Sequence, residues 1–247
     1  MSKESEKSCF KKLSDGYLKR DSNIRCLFDN SDSETIKDII ISSRPNTNDT
    51  AFPDFLFRGG AIEHFEVTTA KEIKGKGSAH KSAIGLFERD TDKQILKSNE
   101  LFKASHFVPN TTKTDRYEMT FDDFKYEYFI ESIKRNIESH VSSLKKSNKY
   151  FDKMVFLLEH KGGMLFCEDG NGKLLPYKIS NDIAALNILK NYIKVVDYII
   201  YVSDDNFEIL DLSKIDDMLQ NANNDLPIKC GRSKNIILNV QSDLKLD

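Results

Sequence analysis

The stretch from Pro53 to Thr69 constrains the fold more than any other. Pro53-Asp-Phe-Leu-Phe57 and Ile62-Glu-His-Phe-Glu-Val-Thr-Thr69 are both strand-like, and Arg58-Gly-Gly60 between them has the length of a hairpin connection. Successive side chains on a strand point to opposite faces, so Phe65 and Val67 share one face while His64, Glu66 and Thr68 share the other. Phe55 and Phe57 are expected in the same core as Phe65 and Val67. Asp54 then falls on the opposite side, and two carboxylates, Asp54 and Glu66, are expected to emerge together on one face of a sheet.

The flanking segments extend this hairpin into an α/β pattern. Ser31 and Glu34 have capping-box spacing, and Ile36, Ile39 and Ile40 follow at helical intervals until Pro45 ends the run. Residues 1–30 are polar and lysine-rich and read as a loosely ordered lead-in. After the hairpin, 79–104 reads as helix and 105–120 as irregular with one strand. A long helix is expected over 122–148, with Phe129, Ile130, Ile133, Ile137, Val141 and Leu144 on its apolar stripe. Met154–Leu158 reads as a buried strand, followed by a hairpin through Gly162-Gly163 and Asp169-Gly170. A helix over Ile183–Ile193 and strands at Tyr198–Val202 and Phe207–Leu210 complete the pattern. Residues 31–247 are therefore expected to form a single α/β domain, a mixed β-sheet flanked by helices.

Composition narrows the class. A chain of 247 residues can bury a substantial core, and 39% hydrophobic content is ordinary for a globular protein. The longest apolar runs are of strand length, and the N-terminus lacks the apolar core of a signal peptide, so a cytoplasmic location without membrane contact is expected. Cys9, Cys26, Cys167 and Cys230 are far apart with no CxxC pair, a spacing that suggests reduced, structural thiols rather than a zinc cluster. Net charge is −2 but polarised. Lys71, Lys74, Lys76 and Lys81 face one nearby acid, Glu72, whereas Tyr201–Leu226 is strongly acidic.

The order helix, Pro-Asp strand, glutamate-bearing strand, long helix and buried strand resembles the PD-(D/E)xK, or restriction endonuclease-like, nuclease superfamily. The matching residues are Pro53-Asp54 and Glu66-Val67-Thr68, and the resemblance in element order spans roughly residues 31–160. It implies a restriction endonuclease-like fold and a metal-dependent endonuclease that hydrolyses DNA or RNA, with a restriction or defence role by analogy. It also implies a Mg2+ (or Mn2+) ion held by Asp54, Glu66 and the Val67 carbonyl, with Glu34 available for a second ion. Such a cation polarises the phosphoryl oxygen and acidifies the attacking water. Thr68 stands where the superfamily has its lysine. Lys71, Lys74 and Lys81 are the replacements in reach, Lys81 favoured as the third catalytic group beside Asp54 and Glu66. Lys71, Lys74, Lys76 and His64 are the expected nucleic-acid contacts, and a homodimer is the candidate assembly. Viral cap-snatching endonucleases look similar in the Pro-Asp, the later glutamate and the Val-Thr pair, but their upstream histidine has no counterpart before His64.

Other readings compete. The same fold can serve as a non-catalytic nucleic-acid- or protein-binding module. Gly75-Lys-Gly-Ser-Ala-His-Lys-Ser82 approaches a phosphate-binding loop of a nucleotide triphosphatase, with His80 where the second glycine belongs. Asp29–Glu34 begins like a calcium loop but lacks its glycine and final glutamate. Glu159-His-Lys-Gly-Gly163 reads as a strand end and turn.

Overall fold

The computed structural model describes residues 3–19, 23–47, 52–71, 93, 112–119, 124–162, 164–169, 171–203, 205–222 and 228–239. Its first half runs α1 (Lys3–Leu18), β1 (Arg25–Asp29), α2 (Ser33–Ser42), β2 (Arg44–Pro45), β3 (Phe55–Phe57), β4 (Gly60–Thr68) and β5 (Thr112–Met119). The second half runs α3 (Tyr126–Ser147), β6 (Lys153–Lys161), β7 (Met164–Glu168), β8 (Leu174–Pro176), α4 (Ile183–Lys190), β9 (Tyr198–Val202), β10 (Asn206–Asp211), α5 (Ile215–Asn221) and β11 (Ile228–Asn239).

Seven strands form one mixed sheet in the order β1-β10-β9-β6-β4-β3-β2. β4, β6 and β9 are parallel neighbours, and the chain crosses from β4 to β6 through α3. β2, β3 and β4 are antiparallel, as are β9 and β10. A second, four-stranded antiparallel sheet has the order β5-β11-β7-β8. The chain is thus an α/β protein with a mixed sheet in a single domain, as its sequence pattern leads one to expect.

Helices cover both faces of the large sheet. Alternation along β6 divides the core: Met154, Phe156 and Leu158 join Phe65, Val67, Phe129, Ile133 and Ile137 under α3, α4 and α5. Val155 and Leu157 join Ile62, Phe55, Ile200, Cys9, Leu13 and the isoleucines of α2 on the other face. A central strand with both faces covered reads as continuous apolar sequence, which is why Met154–Leu158 carries no polar interruption.

The helix ends follow from local chemistry. The capping residue of α2 is Asp32, not Ser31: its Oδ2 accepts from the Thr35 N–H at 3.0 Å. α3 buries Phe129, Ile133, Ile137 and Val141 of the expected stripe together with Ser132, while Ile130 and Leu144 pack partly buried against the same core. It stops at Asn148, whose φ of 51° is the left-handed conformation that asparagine tolerates best after glycine.

Three expectations are corrected. Residues 3–18 of the supposed lead-in are helical, and Cys9 and Leu13 are core residues of α1. β7 and β8 form the hairpin expected at Asp169-Gly170, with Glu168 opposite Leu174, but it belongs to the second sheet and not to the mixed one. The third concerns the first hairpin. β3 and β4 pair as anticipated, but the register sets Phe55 opposite Ile62 and Phe57 opposite Gly60. Directly paired residues share a face, so Phe55 packs with Ile62 against α1 and α2 rather than with Phe65 and Val67. The helix expected over 79–104 lies outside the described residues apart from Lys93.

Candidate functional site

The C-terminal ends of the parallel strands β4 and β6 place charged residues side by side. Glu66 is opposite Glu159 and Thr68 is opposite Lys161. His64, Glu66, Glu159 and Lys161 therefore project from one face of the sheet, the face covered by α1. The C-terminal edge of adjacent parallel strands is where open α/β sheets hold ligands.

Contacts among these groups are close. His64 Nε2 lies 3.1 Å from Glu159 Oε2, an N–H to carboxylate bond with the imidazole wholly buried. Lys161 Nζ donates to the other oxygen, Glu159 Oε1. From α1, Ser5 Oγ reaches both carboxylates, at 3.4 Å from Glu66 Oε1 and 3.4 Å from Glu159 Oε2. One turn further along the helix, Cys9 is buried against the same groups. Cys9, His64 and Glu159 each offer one metal-binding atom, and those atoms lie within 4.8 Å of one another. Among the described residues this is the one cluster of three such donors. The scattered spacing of the cysteines hides it, because the fold rather than the sequence assembles the set.

The electrostatics follow from burial and pairing. Burial opposes charge on Glu159, but the hydrogen bonds from His64 and Lys161 outweigh it and hold the carboxyl below its ordinary value. Burial likewise works against the Lys161 ammonium, and the Glu159 carboxylate more than restores it, leaving its pKa raised. Burial first, and the Glu159 charge next, push the Cys9 thiol far above its ordinary range. Helix α3 braces the strand from the opposite face: Asn136 Nδ2 donates to the Glu66 carbonyl at 3.0 Å, and the Thr68 N–H donates to Ser132 Oγ at 3.2 Å.

The structure does not bring Asp54 and Glu66 together. Asp54 Oδ2 accepts the His64 backbone N–H at 2.8 Å, extending the edge of β4 beyond its pairing with β3. Burial, then the Glu63 carboxylate, raises its carboxyl above the ordinary value. Glu63 in turn is bound by His140 Nδ1 at 2.6 Å, and its Oε2 is buried without a hydrogen-bond partner. Val67 is a core residue, and Glu34 is exposed on the first turn of α2. His64 is too deeply buried to touch a nucleic-acid backbone. Lys71 is exposed just beyond β4. Lys74, Lys76, Lys81 and the phosphate-loop-like segment lie outside the described residues.

Glu159, Lys161, Cys9 and Ser5 were not among the expected site residues. A signal for the first two exists in Glu159-His160-Lys161, a glutamate and lysine two apart at the end of an apolar strand, hence on one face. Among the described residues no helix is long and apolar enough to cross a membrane. No protein-family model, curated protein or solved structure matches the chain, so its chemistry is read from this cluster itself.

Proposed function

We propose that the chain is a metal-dependent nuclease whose chemical core is Glu66, Glu159 and Lys161. One observation carries this reading: two carboxylates paired in register on adjacent parallel strands, with a lysine two residues beyond one of them on the same face. These are the groups that phosphodiester hydrolysis asks of a protein. Glu66 and Glu159 would hold a divalent cation, Mg2+ or Mn2+ in the superfamily the sequence resembles, which supplies polarisation of the phosphoryl oxygen and an acidified water. Lys161 offers its ammonium to the charge that grows on the phosphorane. His64 orients Glu159 from behind through the bond to Oε2. In this reading Glu159-His160-Lys161 takes the part that the resemblance gives to Glu66-Val67-Thr68, and the missing lysine of that triplet is supplied by the neighbouring strand. The order α2, β2, β3, β4, α3, β6 supports the restriction endonuclease-like comparison, and a cytoplasmic location belongs to the same reading.

The test is cleavage of a panel of single- and double-stranded DNA and RNA with Mg2+ or Mn2+. Glu66→Gln and Glu159→Gln are expected to remove activity, and Lys161→Ala to lower turnover on the order of 10²–10³-fold, with folding checked by circular dichroism. Asp54→Asn and Lys81→Ala form the rival set. If they remove cleavage while Glu159→Gln and Lys161→Ala do not, the site belongs to the hairpin. The second reading, a non-catalytic nucleic-acid- or protein-binding module, is favoured by one observation: α1 lies across the carboxylates, with Ser5 on both. Binding without cleavage under every metal would select it.

A further inference from the structure

We propose that Cys9, His64 and Glu159 form a binding site for a borderline transition-metal cation, Zn2+ foremost, that fastens α1 to the large sheet. The proposal does not rest on the nuclease reading: it replaces the His64–Glu159 hydrogen bond of that reading with a shared ion, and its readout is the ion and not cleavage.

Donor chemistry comes first. A thiol, an imidazole and a carboxylate are three of the ligand types that zinc takes in four-coordinate sites, whereas Mg2+ prefers oxygen alone. The three come from α1, β4 and β6, and all are buried. Geometry agrees. Two ligands on one tetrahedral zinc are roughly 3.3–3.8 Å apart, given bonds of about 2.0–2.3 Å. The His64 Nε2 to Glu159 Oε2 separation of 3.1 Å is already close to that, and no pair in the cluster exceeds 4.8 Å. Rotations of about 1 Å therefore complete the set.

The imidazole proton is fixed by the same geometry. A neutral imidazole carries one N–H and one lone pair. An ion taken at Nε2 replaces the N–H bond to Glu159 and leaves the proton on Nδ1, so His64 enters the site as a neutral ligand of one tautomer.

Charge balance closes the case. A Cys9 thiolate and the Glu159 carboxylate neutralise a divalent ion, and Lys161 is then left to Glu66, whose carboxylate Ser5 already links to the cluster. Glu66 or a water takes the fourth position. No buried charge remains without a counterpart.

The experiment uses the full chain, stripped with a chelator and titrated with Co2+ as a spectroscopic probe. One equivalent is expected to produce a thiolate-to-cobalt charge-transfer band with the strong visible absorption of a tetrahedral ion, and Zn2+ is expected to bleach it. Cys9→Ser is expected to abolish the band and weaken Co2+ binding by more than about 100-fold, whereas Cys26→Ser and Cys230→Ser leave both unchanged. X-ray absorption on the zinc-loaded wild-type chain is expected to show one sulfur at about 2.3 Å among nitrogen and oxygen ligands, a measurement that stands even if Cys9→Ser fails to fold. No thiolate band, a band that survives Cys9→Ser, or a zinc shell without sulfur overturns the site. Metal binding with these signatures but no cleavage of nucleic acid leaves this site standing and rejects the nuclease reading. Cleavage with Mg2+ and no thiolate band does the reverse.

Discussion

Glu208 gives the sharpest test of the energetics. Its side chain is wholly buried at the centre of β10, where Oε2 accepts the Ile179 N–H at 2.5 Å and Oε1 accepts from Ser180 Oγ at 2.6 Å. Burial raises its carboxyl from 4.5 to about 7, and the Ser180 and Ile179 hydrogen bonds only partly offset it. The folded state therefore holds this proton more tightly than the unfolded chain does. Its contribution is fully present below about pH 4.5 and is lost as pH rises through about 7. The interval between those values corresponds to roughly 3 kcal/mol. Glu208→Gln replaces the protonated acid with a neutral isostere, its amide oxygen taking the Ile179 N–H and its amino group donating to a reoriented Ser180 hydroxyl. The variant is expected to match the wild type near pH 4.5 and to exceed it by up to about 3 kcal/mol at pH 8.5. Urea unfolding followed by far-ultraviolet circular dichroism across that range measures it, since the chain has no tryptophan to report by fluorescence. Two pH profiles that run parallel, or a variant weaker at high pH, would refute the reasoning.

Two further outcomes concern packing and caps. At Gly60 an added Cβ would stand 2.2 Å from Phe57 Cζ and 2.5 Å from the Lys153 carbonyl oxygen, so Gly60→Ala forces β4 and β6 apart. It is expected to cost about 2 kcal/mol or more, read as a lowered thermal midpoint. Asp182 caps α4 by accepting the Ala185 N–H at 3.1 Å, and it also accepts the hydroxyls of Tyr126 and buried Tyr177. Asp182→Ala is expected to cost about 2–4 kcal/mol in urea unfolding, and Asp182→Asn to recover a good part of it.

What the sequence disclosed, and what it withheld, has a physical pattern. Local periodicity is a property of neighbouring residues, so α2, α3, α4 and the strands at 153–161, 198–202 and 206–211 were legible within a few positions. Register is not local in that sense. The hairpin turns on Arg58-Gly59 and sets Phe57 against Gly60, one residue tighter than the three-residue connection read from the sequence. That single residue exchanges the two faces of β3 and separates Asp54 from Glu66. α1 was obscured for another reason: Cys9, Leu13 and Tyr17 recur every four residues, but lysines and serines dilute the stripe. Glu159 and Lys161 sat in plain view as a strand end. Only the parallel pairing of β6 with β4, made across α3, gives them Glu66 as a neighbour. The second sheet was illegible for the same reason, since β11 finds its partners in β5 and β7 far back along the chain.

The parallel pairing of β1 with β10 carries a consequence for how the chain reaches this state. Asn30 accepts the Asp211 N–H across 181 positions, so β1 closes its ladder with a strand synthesised long after it. Loop-closure entropy for such a contact is repaid only after the intervening strands have ordered, which places it late on the folding route. Until then α1 has no complete sheet to dock on, because Lys12 binds the Ser203 carbonyl, beside β9 and β10. On a ribosome α1 therefore waits, its apolar stripe exposed, until residues 198–211 have emerged. A nascent chain stalled before that point is expected to be captured by chaperones or cleaved by proteases within α1.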